Sequence, residues 1–316
     1  MADKIPIFPN KMPNQNSNSL EWADFIEYIA IFRGQCAIAD YLRPIFMGSD
    51  ELHVLGIEND EDKLYILVDE IAEEITRRVQ EAGLRYPFEL SDEDYVLEFL
   101  DGSSSSYTYK FLLYTTYLNM GTNRIHNSLD GAKIFEELSS VIAKNYLGEN
   151  SSGGVFGTGL AGGFREKLLN VMAEMGEGVN VKNIPGARPQ DEDIDIIVWK
   201  PFHDKRKSKL ICFGQCKTGL SWESDYVRLP AKTIIDLWFT EPPIVDPVLL
   251  FFCSKYFSLQ RWDYTAKKLG IVFDRFRILS LYAESDVISN QALFNRIETW
   301  VTGVEIWLHT PAVSVA

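Results

Sequence analysis

The chain has 316 residues, 46% of them hydrophobic, and a formal net charge of −14, which is room for one large domain or two ordinary ones. No apolar stretch approaches the roughly 18 residues that cross a membrane, and "MADKIPIFPNKMPNQNSNS" lacks the apolar core of a signal peptide, so the chain reads as cytoplasmic with no membrane partner. Four cysteines (Cys36, Cys212, Cys216, Cys253) are too few for a disulfide scaffold, and Cys212 and Cys216 lack a second Cys or His pair to complete a zinc site.

Residues 1–150 carry 12 Lys/Arg against 26 Asp/Glu, and residues 151–316 carry 19 of each, so the whole excess of negative charge lies in the N-terminal half. That half reads as helical. "DKLYILVDEIAEEITRRVQEAG" puts Leu64, Leu67, Ile71 and Ile75 on one face at a helical period. "DGSSSS" (101–106) reads as a loop, and "TYKFLLYTTYLNM" stays open between buried helix and strand. "DGAKIFEELSSVIAKNYLG" predicts a helix with Ile134, Phe135, Leu138, Val141 and Ile142 inward, Asp130 as N-cap and Gly148 as stop.

"GENSSGGVFGTGLAGG" (148–163) is the best boundary in the chain, separating an acidic, mainly helical domain (1–150) from a second domain (151–316). It contains Gly157-Thr158-Gly159-Leu160-Ala161-Gly162, but "ENSSGGVF" is a poor strand and no acid follows at the spacing a dinucleotide fold needs, so a hinge is the reading. Beyond it the pattern predicts a helix over "FREKLLNVMAEM" (164–175) and strands over "IDIIVW" (194–199) and "KLICFGQCK" (209–217). A helix follows from about Ala231, then a doubly covered strand in "DPVLLFFCS" (246–254) and a further strand in "IVFDRFRILSLY" (271–282). A mixed sheet flanked by helices, an α/β architecture, is the expected result.

The two central strands carry polar residues where a buried strand should stay apolar. Asp191, Asp193 and Asp195 crowd the start of the first, and Gln215 and Lys217 stand in the end of the second. Alternate residues of a strand share a face, so Gln215 and Lys217 project together roughly 7 Å apart, and pairing of the strands through the turn between them brings Asp195 toward Gln215. A carboxylate, an amide oxygen and an ammonium at one sheet edge suit a hard divalent cation and phosphodiester hydrolysis, with the lysine activating water or steadying growing charge. A buried Asp–Lys ion pair with a hydrogen-bonded Gln satisfies the same pattern, and both readings stand at this point.

From about Phe164 to Gly219, "FREKLLNVMAEMG", "DEDIDIIVW" and "GQCKTG" resemble, in that order, the motifs of the PD-(D/E)xK nuclease superfamily, in its Mrr-like restriction branch with Gln-x-Lys. The resemblance implies a restriction-endonuclease-like mixed sheet and a metal-dependent endonuclease acting on DNA in bacterial restriction or anti-phage defence. It implies Asp195 as metal-binding acid, Gln215 and the main-chain carbonyl of Cys216 as further ligands of Mg²⁺ (or Mn²⁺), and Lys217 as catalytic lysine. The family's helix often carries a Glu directly after the Phe. Here that place is Arg165, and Glu166, one residue on, is the nearest helix-borne acid.

Between the strands lies the run "KPFHDKRKSK", whose Lys200, Lys205, Arg206, Lys207 and Lys209 are expected to reach DNA backbone phosphates or, read plainly, to form a solvated hairpin tip. The acidic half reads as a regulatory or protein-interaction module, and a homodimer is also open. The alternative to a nuclease is a catalytically weak nucleic-acid-binding or protein-interaction subunit of the same fold.

Overall fold

The structure, a computed structural model, describes residues 8–9, 12–14, 16–46, 61–91, 94–156, 163–178, 180–183, 194–220, 231–282 and 284–310. Helix α1 (Ser19–Arg33) starts where the Asn18 side chain accepts from the Glu21 N–H (3.0 Å) and stops at Gly34. Every residue from Trp22 to Ile31 is buried, so α1 is enclosed on all sides and shows no single apolar stripe. After α2 (Ile38–Phe46), α3 (Glu61–Ala82) buries Leu64, Leu67, Ile71 and Ile75, the face its period predicts. β1 (Gln35–Ala37), β2 (Phe88–Leu90) and β3 (Val96–Phe99) form a small antiparallel sheet in the order β1-β3-β2.

The ambiguous stretch after it is a helix, α4 (Ser104–Tyr117), with Ser106 to Thr116 buried but for Tyr107. The expected loop at 101–106 is therefore shorter. Ser103 caps α4 by accepting from the Ser106 N–H (3.1 Å), and Ser104 to Ser106 form its first turn. A short hairpin, β4 (Ile125–His126) and β5 (Leu129–Asp130), leads into α5 (Gly131–Leu147), capped by Asp130 on the Ala132 N–H (3.0 Å) and ended by Gly148 as expected.

The second half contains β6 (Ser152–Val155), α6 (Phe164–Met175), β7 (Asn180–Val181), β8 (Ile196–Lys200), β9 (Leu210–Lys217), α7 (Ala231–Trp238), β10 (Phe239–Glu241), β11 (Val248–Cys253), α8 (Leu259–Leu269), β12 (Ile271–Phe273), α9 (Arg275–Leu281), α10 (Glu284–Ser289) and α11 (Gln291–His309). The architecture is mixed α/β around a five-stranded mixed sheet in the order β12-β11-β9-β8-β6. β6, β8 and β9 are antiparallel in turn, while β9, β11 and β12 run parallel. Two sequence expectations change here. "SGGV" is an edge strand despite its glycines, and Gly153 is needed there: its φ is 97°, and a Cβ would sit 2.2 Å from the Ile197 carbonyl oxygen. The fifth strand covers only Ile271–Phe273, because Asp274 then caps α9 through the Arg277 N–H (3.1 Å) and turns the chain helical. The Gly157–Gly162 fingerprint, Asp191 and Asp193 lie outside the described residues.

Alternation along the strands divides the core. Ile196, Val198, Cys212, Leu250 and Phe252 join α5 and the N-terminal helices in one large apolar cluster. Ile197, Trp199, Ile211 and Phe213 face a second cluster made with Phe164, Leu168, Met172 and Met175 of α6 and Ile234, Ile235 and Trp238 of α7. The first cluster runs from Phe8 to Val304, so packing continues across the stretch at 148–163 where a domain boundary was expected. The reason is that α5, in the acidic half, lies against β6 and β8.

A buried charge network joins the same parts. Arg78 of α3 donates to Glu74 (2.8 Å), Asp24 (2.7 Å) and Glu27 (2.6 Å), and Arg275 of α9 makes a two-pronged contact with Asp24 (2.8 and 3.1 Å). Tyr86 and Tyr109 donate to Glu27, and Tyr117 to Asp24. Burial alone would push the Asp24 carboxyl up, but Arg275 and Arg78 outweigh it and hold it below the usual carboxylate range. Truncating Arg275→Ala leaves the buried Asp24 with Arg78 as its one guanidinium partner, and the expected loss of stability is about 3–5 kcal/mol. Urea unfolding followed by circular dichroism reads it, and a loss below about 1 kcal/mol would make the pair dispensable.

Asp274 behaves oppositely. Burial pushes its carboxyl up to about 6 from an ordinary 3.8, although the Arg277 and Phe257 N–H groups pull it down. A carboxyl raised on folding stabilises fully below its unfolded value, and that contribution is lost as pH climbs from about 4 through about 6. Asp274→Asn keeps a capping oxygen without titrating, so it should gain on the parent over that window, on the order of 3 kcal/mol by pH 7. Urea midpoints at a series of pH values across the window test this, and a difference independent of pH would contradict it.

Candidate active site at the end of β8 and β9

The antiparallel pair β8–β9 is in register with Ile196 opposite Gly214. Asp195, one step earlier, continues the ladder with its backbone: its N–H donates to the Gly214 carbonyl (2.9 Å), and its carbonyl accepts from the Phe156 N–H (2.7 Å). Its side chain does something else. Oδ2 accepts the Cys216 N–H at 2.7 Å, so a carboxylate takes a ladder donor that would otherwise meet a main-chain oxygen. This fixes the carboxyl group between the two strands, beside the Gln215–Cys216–Lys217 segment. On its other side that segment pairs with β11, Gln215 opposite Phe251 and Lys217 opposite Cys253. Asp195, Gln215, Cys216 and Lys217 are all half-buried, where Ile196 to Trp199 and Ile211 to Gly214 are buried. The sheet opens at this end.

The Cys216 thiol reports what surrounds it. Its pKa lies well above the ordinary 9.0, because burial and the Asp195 and Glu136 carboxylates raise it, while Lys217 lowers it. The Asp195 and Glu136 carboxylates and the Lys217 ammonium are therefore each close enough to Cys216 to act on its thiol through their charge. Glu136 was not among the expected site residues. It stands half-buried on α5, the helix that packs against β8. A signal for it was present, since Glu136 directly follows Phe135, the order that Phe164-Arg165 lacks. The apolar period of that segment drew attention to Phe135 as core and past its neighbour.

Glu166, expected as the helix-borne acid, is exposed on α6, whose buried face meets the second cluster. The basic run is also divided. Lys205, Arg206 and Lys207 are exposed at the hairpin tip, with Arg206 paired to Asp204 (2.7 Å). Lys209 is turned inward at 3% exposure toward Glu177 (3.7 Å), and Lys200 donates to the Glu149 carbonyl. Glu177 itself accepts from the Ser208 (3.0 Å) and Ile244 (2.8 Å) N–H groups, so the Lys209 end of the run holds the hairpin base.

Comparison of the chain with protein-family models, with curated proteins and with solved structures gave no match. Among the described residues, no helix is long and apolar enough to cross a membrane, and no group of three His, Cys, Asp or Glu side chains is placed to hold a metal ion. Other oxygen donors stand at this strand end, however. The Asp195 carboxylate, the Gln215 amide and the Cys216 carbonyl belong to this strand end, and Glu136 stands on α5 within electrostatic reach of Cys216; oxygen donors of these kinds are the ones Mg²⁺ or Mn²⁺ takes. A groove of about 510 Å³ opens next to this end, lined among others by Thr218, which follows Lys217, and Ala132, one helical turn before Glu136.

Because Cys36, Cys212 and Cys253 are buried, alkylation reports mainly on Cys216. Glu136→Gln should lower the pH midpoint of Cys216 alkylation and Lys217→Met should raise it, opposite shifts that follow from the signs of the two charges. Mass spectrometry after timed iodoacetamide treatment across pH reads both. Unchanged profiles would mean that the two charges do not act on the Cys216 thiol.

Proposed function

We propose that the chain is a metal-dependent deoxyribonuclease of the PD-(D/E)xK type, Mrr-like, with a restriction-endonuclease-like sheet. The observation that carries the reading is the Asp195 carboxylate held on the Cys216 N–H beside Gln215 and Lys217, and it is supported by the reach of the Glu136 and Lys217 charges to the same cysteine. Phe135-Glu136 on α5 supplies the helix-borne acid in the order that the resemblance expects, so α5 takes the place first given to 164–175 and Glu136 that of Glu166.

Asp195, Glu136, Gln215 and the Cys216 carbonyl would hold the ion, which when bound supplies Lewis acidity and a more acidic water. Asp195, tied to the Cys216 N–H, is pre-oriented and needs little rearrangement. Lys217 points its charge at the growing negative charge on a scissile phosphate and orients the attacking water. Gln215 adds an oxygen without charge, so the two carboxylates carry the electrostatic part of binding. The groove past Thr218 and Ala132 gives the substrate backbone a path, and Lys205, Arg206 and Lys207 add sequence-independent affinity. Service in bacterial restriction or anti-phage defence is the setting that this resemblance suggests, with DNA as partner.

Purified protein incubated with supercoiled plasmid should nick it with Mg²⁺ or Mn²⁺ and not with EDTA. Lys217→Ala, Asp195→Ala and Glu136→Ala should each lower the rate about 100-fold or more, while Glu166→Ala leaves it unchanged. Gln215→Glu should tighten metal binding in a direct titration. DNA binding without cleavage in the parent, under either metal, would favour the second reading, a binding subunit of the same fold.

A further inference from the structure

A second concave site lies beyond the β11 carboxyl end. β9, β11 and β12 are parallel, and in such sheets ligands gather beyond the strands' carboxyl ends. There a cleft of about 340 Å³ opens between α1 and α8. Four cations line it, Arg78, Lys255, Arg261 and Lys268, against two acids, Glu21 and Asp24. Asp24 and Arg78 are already engaged in the buried network, with each other and with Arg275, Glu74 and Glu27, which leaves Lys255, Arg261 and Lys268 against Glu21 at the cleft. In a chain of net charge −14, such a concentration of cations in a concave site calls for an anion.

The site also has an aromatic part. Tyr264 of α8 is 64% exposed at the cleft, and the Lys268 Nζ stands 4.3 Å from its ring centroid. An exposed ring beside an ammonium offers one face for stacking and one charge for phosphate. Ser258 caps α8 by accepting from the Gln260 N–H (3.3 Å), so the helix brings its positive end to the same cleft. The volume lies within the roughly 300–1,000 Å³ of small-molecule sites. A duplex needs a long open track, which a pocket of this size is not.

We propose that this cleft binds a nucleoside phosphate, its phosphates held by Lys255, Arg261 and Lys268 and its base laid on Tyr264. Arg78 stays bound to its carboxylates and forms the floor. The inference does not rest on the nuclease reading, because the residues differ and binding is read without cleavage. Isothermal titration of the full chain in EDTA, with ATP, GTP, CTP, UTP and inorganic pyrophosphate in turn, tests it. Saturable binding of at least one nucleotide is expected, weakened about tenfold or more in the double variant R261E/K268E, whose positions are exposed. Tyr264→Ala should weaken the nucleotide and spare pyrophosphate. No saturable heat up to about 1 mM, equal binding by the double variant, or equal loss for nucleotide and pyrophosphate in Tyr264→Ala would overturn the proposal. So would binding of a short DNA duplex that the nucleotides fail to displace, which would assign the cations to a DNA track.

Discussion

The fold depends on Asp24. Its carboxylate accepts from Arg78 of α3, Arg275 of α9 and Tyr117 of α4, and Arg275 follows the strand β12 by two residues. A helix near one end of the chain is thereby tied to the sheet built near the other. Apolar contacts alone would tolerate sliding of α1 over its neighbours, whereas charge-assisted bonds of fixed geometry specify one seating. An unpaired carboxylate or guanidinium in this position is costly, so each wrong seating of the helices carries a penalty.

That seating has consequences at the carboxyl end of β9. The helices that enclose α1 belong to the same apolar cluster as α5, and α5 in turn lies on β6 and β8. Glu136 reaches the Cys216 region because its helix is held there, and Asp195 reaches it because its backbone is bonded on both sides, to Phe156 and to Gly214. Neither acid sits on a free loop. A group of half-buried charges at an opening of the sheet is expensive to maintain for stability alone, since apolar residues would fill the same space. The cost is easier to understand where the charges have work to do on a ligand.

Much of this was legible in the chain. The periods at Leu64–Ile75 and Ile134–Ile142, the cap at Asp130 and the stop at Gly148 state their helices locally. The misplaced elements share a physical cause, which is tertiary context. "TYKFLLYTTY" has strand-like residues but is enclosed on nearly every side, so burial overrides propensity. "SGGV" looks like a linker, yet the close approach of Ile197 makes glycine at 153 a requirement of the pairing. At the site, Asp195, Gln215 and Lys217 stood out as polar intrusions in apolar strands, while Glu136 was one acid among many on an acidic helix. Only the packing of α5 on the sheet distinguishes it from Glu137, which pairs with Arg296. Lys209 misled for a similar reason, since nothing in "KRKSK" reveals that Glu177 waits behind it.

The distribution of charge takes on a different meaning once α5 is placed. An acidic half that could be cut away at 148–163 would act on a neighbouring basic surface as a removable electrostatic screen. Here the acidic half supplies a helix to one face of the sheet and an acid to the candidate site, so removing it would strip the sheet of apolar cover and the site of Glu136 together. Repulsion of a polyanion by the remaining acids is screened over roughly 8–10 Å at physiological salt, a range shorter than the helices themselves. Lys205 to Lys207 at one hairpin tip, with Arg206 paired to Asp204, and Arg261 and Lys268 on α8 are exposed cations that an anion can meet locally. Steering toward those points, with the bulk of the surface repelling, makes local sign and geometry rather than net charge the quantity that governs what this protein can approach.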